Sequence, residues 1–465
     1  MMTMKNSFAK TLLAVSIASI SSASMAASFQ LIEQSASGQG SAYAGAAALG
    51  EDASTIYFNP AGMTRLPGQQ IVVAGHIIAP VAEFTNKGST DALGGPLTGP
   101  ESNTGDPAFV PNFYYSAELP NDTYVGVGVN VPFGLSTEYN DGWVGRYHAL
   151  RSEISSVNIN PSIAWKATDK VSIGFGVSIQ YMTLELTNNL DSALVCNNIS
   201  SNLPPAAKPG EPGCGTLSPN TPSLDSSSKL TGDSTEFGWN TGILIDVDEN
   251  MRLGIAYRSA IKHNVSGDAE YNLDPTLKAE TDYFKQVTGF NIVQNTSLDA
   301  NAEMPDTLSL SFVSKVNDSW TALFDYTWTG WNKLDTIVIR QPGGVPGQEA
   351  TLDLAYKNTS RYSIGVNYRH NPAWLFRGGL AYDETPIRSA ENTSARIPGN
   401  DRTWLSLGLG WTPASSWSID VAYSHLFIAD TEINNSPGAT ASGATLLGEY
   451  QSKVDIFSVQ GNFYF

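Results

Sequence analysis

The sequence predicts an all-β fold: a membrane-spanning antiparallel β-barrel of about fourteen strands, its lumen plugged by a small N-terminal helical hatch. Three observations predict it. Beyond an N-terminal leader, no stretch approaches the ~20 apolar residues that a membrane helix needs. Segments of alternating apolar and polar residues recur from Ile71 to the C-terminus. The connections between those segments alternate between short and long, as periplasmic turns and external loops do in such barrels.

The leader comes first. Lys5 and Lys10 flank a short positive region, Thr11 to Ile20 is apolar but too short to span a bilayer, and Ser24-Met25-Ala26 presents small residues for cleavage. Residues 1–26 therefore read as a secretory signal peptide. The composition of the remainder suits a barrel. Charged residues make up 15% of the chain and aromatic ones 10%, with 42 glycines, whereas soluble domains carry about 25% charged residues. In lipid only helices and closed barrels satisfy every backbone group, so a mature chain without membrane helices crosses as a barrel.

Residues 27–69 form the next unit. Ser35 to Ala48 is nearly all small residues, which lets backbones pack closely inside a lumen. In Asn59-Pro60-Ala61 the asparagine is a helix N-cap and the proline sits where its missing N–H costs nothing. Ile56, Tyr57, Phe58, Met63 and Leu66 argue against a disordered tail, which would be poor in such residues. A plug of this kind blocks free passage, so whatever crosses must take a specific route.

Residues 70–465 supply the barrel. Val125 to Thr137 alternates as a strand but contains Pro132, which cannot donate to a ladder, and Gly134, which weakens one. Val157, Ile159, Ile163 and Trp165 alternate before a Thr168-Asp169-Lys170 turn, and Val171 to Tyr181 follows. Further strands run through Trp320 to Trp328, Tyr362 to Tyr368, Trp374 to Tyr382 and Trp417 to Tyr423. In the last strand Phe457, Val459, Gly461, Phe463 and Phe465 face one way and Ser458, Gln460 and Asn462 the other, an aromatic outer and a polar inner face. Short turns fall at 120–122, 168–170, 246–250, 316–319, 369–372 and 412–416. Long polar connections fall at about 85–108, 187–233, 262–303, 330–355, 384–400 and 428–446.

The remaining residues exclude several functions. A net charge of −18 makes nucleic acid a poor partner, because phosphate contacts need clustered Lys and Arg. Acid on exposed loops suits a surface where divalent cations bridge it to anionic outer-membrane lipid and lipopolysaccharide. Cys196 and Cys214, in an exported Pro/Asn/Ser-rich segment, predict a disulfide contributing about 3 kcal/mol. Without a nearby His they fall short of a structural zinc set. The five histidines, His76, His148, His263, His370 and His425, do not accompany a serine nucleophile elbow. No phosphate-cradling Gly-Lys-Ser/Thr loop is present. The expectation is a cofactor-free, metal-free barrel rather than an enzyme.

Several motifs carry a resemblance. Phe29-Gln30-Leu31, Ser37-Gly38-Gln39-Gly40 and the stretch from Asp52-Ala53-Ser54 to Asn59-Pro60-Ala61 resemble the hatch of the long-chain fatty-acid transporter family (FadL/TodX). The likeness continues through Val110-Pro111-Asn112, Phe133 to Glu138, Asn160-Pro161-Ser162 and Ile397 to Arg402, and covers essentially the whole mature chain. It implies a monomeric fourteen-stranded outer-membrane barrel. Ligand would be captured among external loops, held in an apolar lumen pocket and released sideways beside a kinked third strand. It further implies gating by Phe29 and Asn59, Pro60 and Ala61, and a lateral opening at Pro132 and Gly134. Arg402 falls where the family places a basic residue near the bound carboxylate. Asn358 stands where an acid is expected, and the strand end at Thr187-Asn188 lacks an expected arginine. Those departures leave uncharged hydrophobics such as aromatic hydrocarbons as the alternative ligand. The terminal Phe465 resembles the signal read by the barrel-assembly machinery.

Overall fold

The computed structural model describes residues 29–215, 217–344, 349–435 and 443–465; the expected signal peptide lies outside them. Alternating residues build one antiparallel sheet of twenty strands. In chain order these are β1 (Gln69–Asn86), β2 (Ala108–Leu119), β3 (Thr123–Asn130), β4 (Gly134–Glu138), β5 (Arg151–Lys166), β6 (Val171–Leu190) and β7 (Ser226–Asp246). Next come β8 (Met251–Arg258), β9 (Ile261–Asn272), β10 (Thr296–Met304), β11 (Thr307–Lys315), β12 (Trp320–Thr329), β13 (Thr336–Arg340) and β14 (Ala350–Asp353). The remainder are β15 (Thr359–Asn371), β16 (Trp374–Asp383), β17 (Arg402–Ala414), β18 (Trp417–Ile428), β19 (Thr431–Asn435) and β20 (Leu446–Tyr464). Strands β3/β4, β8/β9, β10/β11, β12/β13, β14/β15 and β18/β19 are each one wall segment interrupted by a bend. The wall therefore has fourteen staves. The sheet closes because β1 pairs with β2 on one edge and with β20 on the other, in register from Gln70↔Tyr464 to Asn86↔Gly448.

Alternation places the side chains. Phe457 and Val459 are 55% and 57% exposed, while Ser458 and Gln460 between and beside them are buried. The same outward set recurs in Ile159, Ile163 and Trp165 of β5 and in Trp320, Phe324, Tyr362, Ile364 and Phe376. Aromatic side chains pack around the short-turn end, with Trp320 on Tyr368 and Trp411 against both Trp374 and Trp417, where amphipathic rings favour a membrane–water boundary.

Residues 29–66 lie in the lumen as three short helices, Ala36–Gly40, Ala46–Leu49 and Thr55–Phe58, and a 3-10 turn, Pro60–Arg65. Asn59 caps that turn by accepting the Ala61 amide at 3.0 Å, with Pro60 at its first position. Ile56, Met63 and Leu66 pack with Val72, Tyr114, Tyr124 and Ala164 of the wall. Gln460 donates to Asp52 at 2.9 Å, and Arg377 pairs with both Asp420 (2.6 Å) and Glu51 (3.2 Å). Wall glycines admit the inserted backbone: a Cβ at Gly174 would overlap the Ala61 nitrogen, and one at Gly254 the Ala47 carbonyl.

Three features differ from the sequence expectation. The connections placed at 187–233 and 262–303 are shorter, because β6, β7, β9 and β10 run on with polar residues such as Glu185, Lys229 and Asp299 on one face and apolar ones such as Leu184, Leu230 and Leu298 on the other. Those connections also hold helices, Ser192–Ser201 and Pro275–Thr288, the second begun by Asp274-Pro275 and ended by Gly289. A seventh long connection, 139–150, was unmarked by composition; Tyr139, Trp143 and Tyr147 pack there with Phe84, Ile433 and Tyr450.

Replacing Gly254 with valine should force the 46–49 helix from the wall. In planar bilayers the variant should conduct ions in steps several-fold larger than the parent, and unchanged conductance would show that the lumen is not sealed at that contact.

Candidate functional site

The wall is broken in one stave, and the N-terminal segment lies against the break. β3 pairs with β5 as far as Asn130↔Asn158, and β4 resumes at Gly134↔Ser155. Val131, Pro132 and Phe133 thus oppose only Ser156 and Val157. The Pro132 carbonyl accepts the Leu31 amide at 2.9 Å, the Phe29 carbonyl accepts the Gly134 amide at 2.9 Å, and Gln30 bridges Phe133 as an antiparallel pair. Gln34 donates its side-chain amide to the Val131 carbonyl at 3.0 Å. Ser156 completes the set: its Oγ accepts the Phe133 N–H (2.9 Å) and donates to the Phe133 carbonyl (2.7 Å).

This bend opens the wall on its other side. β2 pairs with β3 only over Phe113 to Leu119, so Ala108 to Asn112 have no strand partner on that edge among the described residues. Asn112 instead donates to the Glu33 carbonyl at 2.9 Å. Hydrogen-bonding groups left open at membrane depth mark a place where sheet gives way to cavity.

Immediately outward of Phe29 is a cavity of about 820 Å³. Phe29 forms part of its lining, its ring 5.3 Å from Trp331 and 5.9 Å from Phe133. Leu135, Leu184, Leu230, Leu298 and Leu352 are typical of the other walls; Ser152 and Arg396 are the polar residues of the lining, and they show it carbon surface only, their polar groups lying behind it. Arg396, in the connection between β16 and β17, donates Nη1 to Ser152 Oγ (3.0 Å) and the Thr187 carbonyl (3.2 Å). Its Nη2 donates to Asn188 Oδ1 at 3.1 Å. It makes no ion pair among the described residues. Burial pulls its guanidinium down to about 10, with Tyr139 opposing, so it stays charged at neutral pH. Concave, mainly apolar walls are the usual form of a small-molecule site.

The residues singled out from sequence fall in three places. Asn188 touches the cavity's cation, as just described. Arg402 is buried beside Asp383 in an ion pair at 3.0 Å, rather than with the adjacent Asp401, whose carboxylate accepts from Tyr382 and the Thr385 amide. Asn358 is exposed and accepts the Asn332 amide. Phe29, Pro132 and Gly134 come together at the break. Asn59, Pro60 and Ala61 lie apart from it against β6 and β7, with Asn59 donating to the Ala47 and Ile243 carbonyls. Cys196 and Cys214 are bonded, Cα–Cα 5.7 Å, and clip the helix Ser192–Ser201 within a cluster containing Leu277 and Phe284. Sequence reasoning missed Arg396, one residue before a stretch it had marked, and Ser156.

Comparisons with known proteins agree with this architecture. The model of the family described as outer membrane protein transport protein (OMPP1/FadL/TodX) matches residues 17–465. The long-chain fatty acid transport protein of Escherichia coli K12 is 28% identical over 94% of this chain and 96% of its own. Outer membrane protein P1 of Haemophilus influenzae is 29% identical over 90% of each. Among solved structures, a Pseudomonas aeruginosa FadL homologue superposes with TM-score 0.84 at 24% identity, covering 94% of this chain and 100% of that one. The Ralstonia pickettii toluene transporter TbuX superposes with TM-score 0.64 at 18% identity, covering 92% and 97%.

Ser156→Ala should leave the buried Phe133 N–H unpaired, a loss of about 1–3 kcal/mol. Amide exchange at 131–134 should quicken while β3 stays protected; uniform protection would assign the bend to other contacts.

Proposed function

The chain belongs to the outer membrane transport protein family OMPP1/FadL/TodX, and from that premise we propose that it carries long-chain fatty acids passively across the outer membrane. The observation that carries this reading is Arg396, the one charged residue in the lining of the cavity, whose guanidinium lies just behind the apolar wall on Ser152, Thr187 and Asn188. A cation buried without an acid is costly unless a partner arrives, and a carboxylate with a long apolar tail satisfies both the guanidinium and the walls. A hydrocarbon would fill the walls and leave the guanidinium as it was, which is why the fatty acid is preferred over an aromatic hydrocarbon.

The route follows from the same contacts. External loops, including the apolar cluster under the Cys196–Cys214 bond, receive the ligand from water. The cavity takes the tail, and the head meets Arg396. The Phe29–Leu31 segment then leaves Pro132 and Gly134, and the ligand exits sideways past the unpaired edge of β2 into lipid. Residues 27–69 act as the hatch in this scheme, with Asn59, Pro60 and Ala61 anchoring it; Arg402 holds Asp383 beside it. The chain performs no chemistry on its cargo, and acidic loops and the terminal Phe465 serve the lipopolysaccharide surface and barrel assembly.

Arg396→Gln should weaken oleate binding by about 2–5 kcal/mol, thirtyfold or more, and leave oleyl alcohol binding unchanged. Equal oleate affinity in isothermal titration would remove the carboxylate assignment. A disulfide made by Gln30→Cys with Phe133→Cys should lock the segment to the wall. Uptake should then stop while binding persists, and a reductant should restore uptake to the double variant. Uptake through the locked form would exclude the lateral route.

A further inference from the structure

A second cavity lies on the other side of the Phe29–Leu31 segment. It measures about 890 Å³ and lies between the hatch and the inner wall from β7 to β17. Leu31, Ile32, Tyr43 and Phe58 of the hatch and Trp404 of the wall give it apolar surface, and Arg258 and Arg361 give it guanidinium groups. We propose that this chamber is a second carboxylate-binding station for an amphiphile, with Arg258 as its anion-binding group; the proposal rests on the fatty-acid reading above.

The arginines of the lumen divide by partner. Arg377 pairs with Asp420 and Glu51, and Arg402 pairs with Asp383. Both of these guanidiniums have acid partners, and the side chains brace the hatch and the wall. Arg258 is different. It donates Nη1 to Ser178 Oγ at 3.1 Å and Nη2 to the Tyr57 carbonyl at 2.8 Å, and lies 4.3 Å above the Tyr57 ring. It makes no ion pair among the described residues. That is the pattern of Arg396: a guanidinium held by hydroxyl and carbonyl acceptors, with no acid, on the wall of a cavity that has apolar surface. Arg361 shares the chamber, bonded to the Ala42 carbonyl (3.0 Å) and Ser363 (3.2 Å), its guanidinium 5.1 Å from the Trp404 ring. The two lining acids are engaged: Asp383 with Arg402, and Asp325 with the hydroxyls of Ser311 and Thr327.

The position of the chamber gives the second site a task. Phe29 lines the outer cavity, while Gln30, Leu31 and Ile32 line the inner one. The partition between the two cavities is thus the same segment that closes the break at Pro132 and Gly134. When it moves, the two spaces join beside the opening. A carboxylate leaving Arg396 with nowhere charged to go would be stranded in an apolar space at a large cost. Arg258 offers the head a new partner while the tail is already sliding toward lipid, so the ion is handed on rather than released bare.

The test is equilibrium dialysis of radiolabelled oleate, and in parallel of oleyl alcohol, against the purified full barrel in a nonionic detergent. Folding of each variant is checked by its heat-modifiable migration. Two oleates should bind per wild-type chain and one per Arg258→Gln chain, with Arg258→Lys keeping both. Oleyl alcohol stoichiometry should not change in Arg258→Gln. One oleate on the wild type, or two on Arg258→Gln, would overturn the second station. Arg396→Gln reads the first site by itself: if it too bound as the parent does, the fatty-acid reading would fail, whatever Arg258 does.

Discussion

A chain in hydrocarbon must pair every backbone N–H and C=O within itself, and the rest of this molecule depends on how that demand is met and where it is not. The β1–β20 register removes the last free edges of the sheet, so any opening has to be made by breaking a ladder. The break occurs at Val131 to Phe133. Its polar groups are then taken up by three different partners: the backbone at Phe29 and Leu31, the side chain of Gln34, and the hydroxyl of Ser156. Ser156 belongs to β5 and stays with the wall, but Phe29, Leu31 and Gln34 belong to the plug, so their contacts can be withdrawn without unfolding the wall. On the proposed route this structural defect serves as a door, and its latch, the Phe29–Leu31 segment, also borders the cavity.

Charge is distributed in keeping with this. The chain carries −18 overall, yet the residues that line the two lumen cavities include arginines with no ion pair among the described residues. Long-range steering of an anionic ligand toward such a surface is unfavourable, so capture has to come from burial of the tail, at about 25 cal/mol per Å² of apolar surface. The cation acts only at short range, once the tail is already inside. Such an order of events favours ligands with much apolar area and a single charge.

Much of the fold was legible in the sequence because a barrel wall repeats one simple rule. Alternation in Val454 to Phe465 and in Val171 to Tyr181 assigned the faces, and the Pro132–Gly134 pair marked the interruption. The upper lengths of β6 and β7 were hidden because their alternation reverses there: Thr183, Glu185, Lys229 and Asp233 face outward, and Leu184, Leu186 and Leu230 face the cavity. The helix Pro275–Thr288 had its signals in Asp274-Pro275 and Gly289, but these lay within a polar stretch read as loop. The site was less legible. Arg396 reaches the cavity from a connection, and no local spacing relates it to Leu184 or Leu298 on strands far away in sequence. Arg402 drew attention as the basic residue of a recognisable motif, and only the fold shows Asp383 opposite it. Asn188 was marked for lacking a charge, and it serves by accepting a hydrogen bond from the arginine that supplies one.

On the reading proposed above, this barrel moves molecules with a carboxylate head and a long apolar tail. Its most direct test is uptake of labelled oleate and labelled toluene, measured side by side, in cells lacking their own transporter and expressing this chain. Oleate uptake well above the empty-vector level, with toluene at that level, is the predicted result. Toluene uptake without oleate uptake would contradict the account and make the cavity a hydrocarbon channel in which Arg396 has only a structural part.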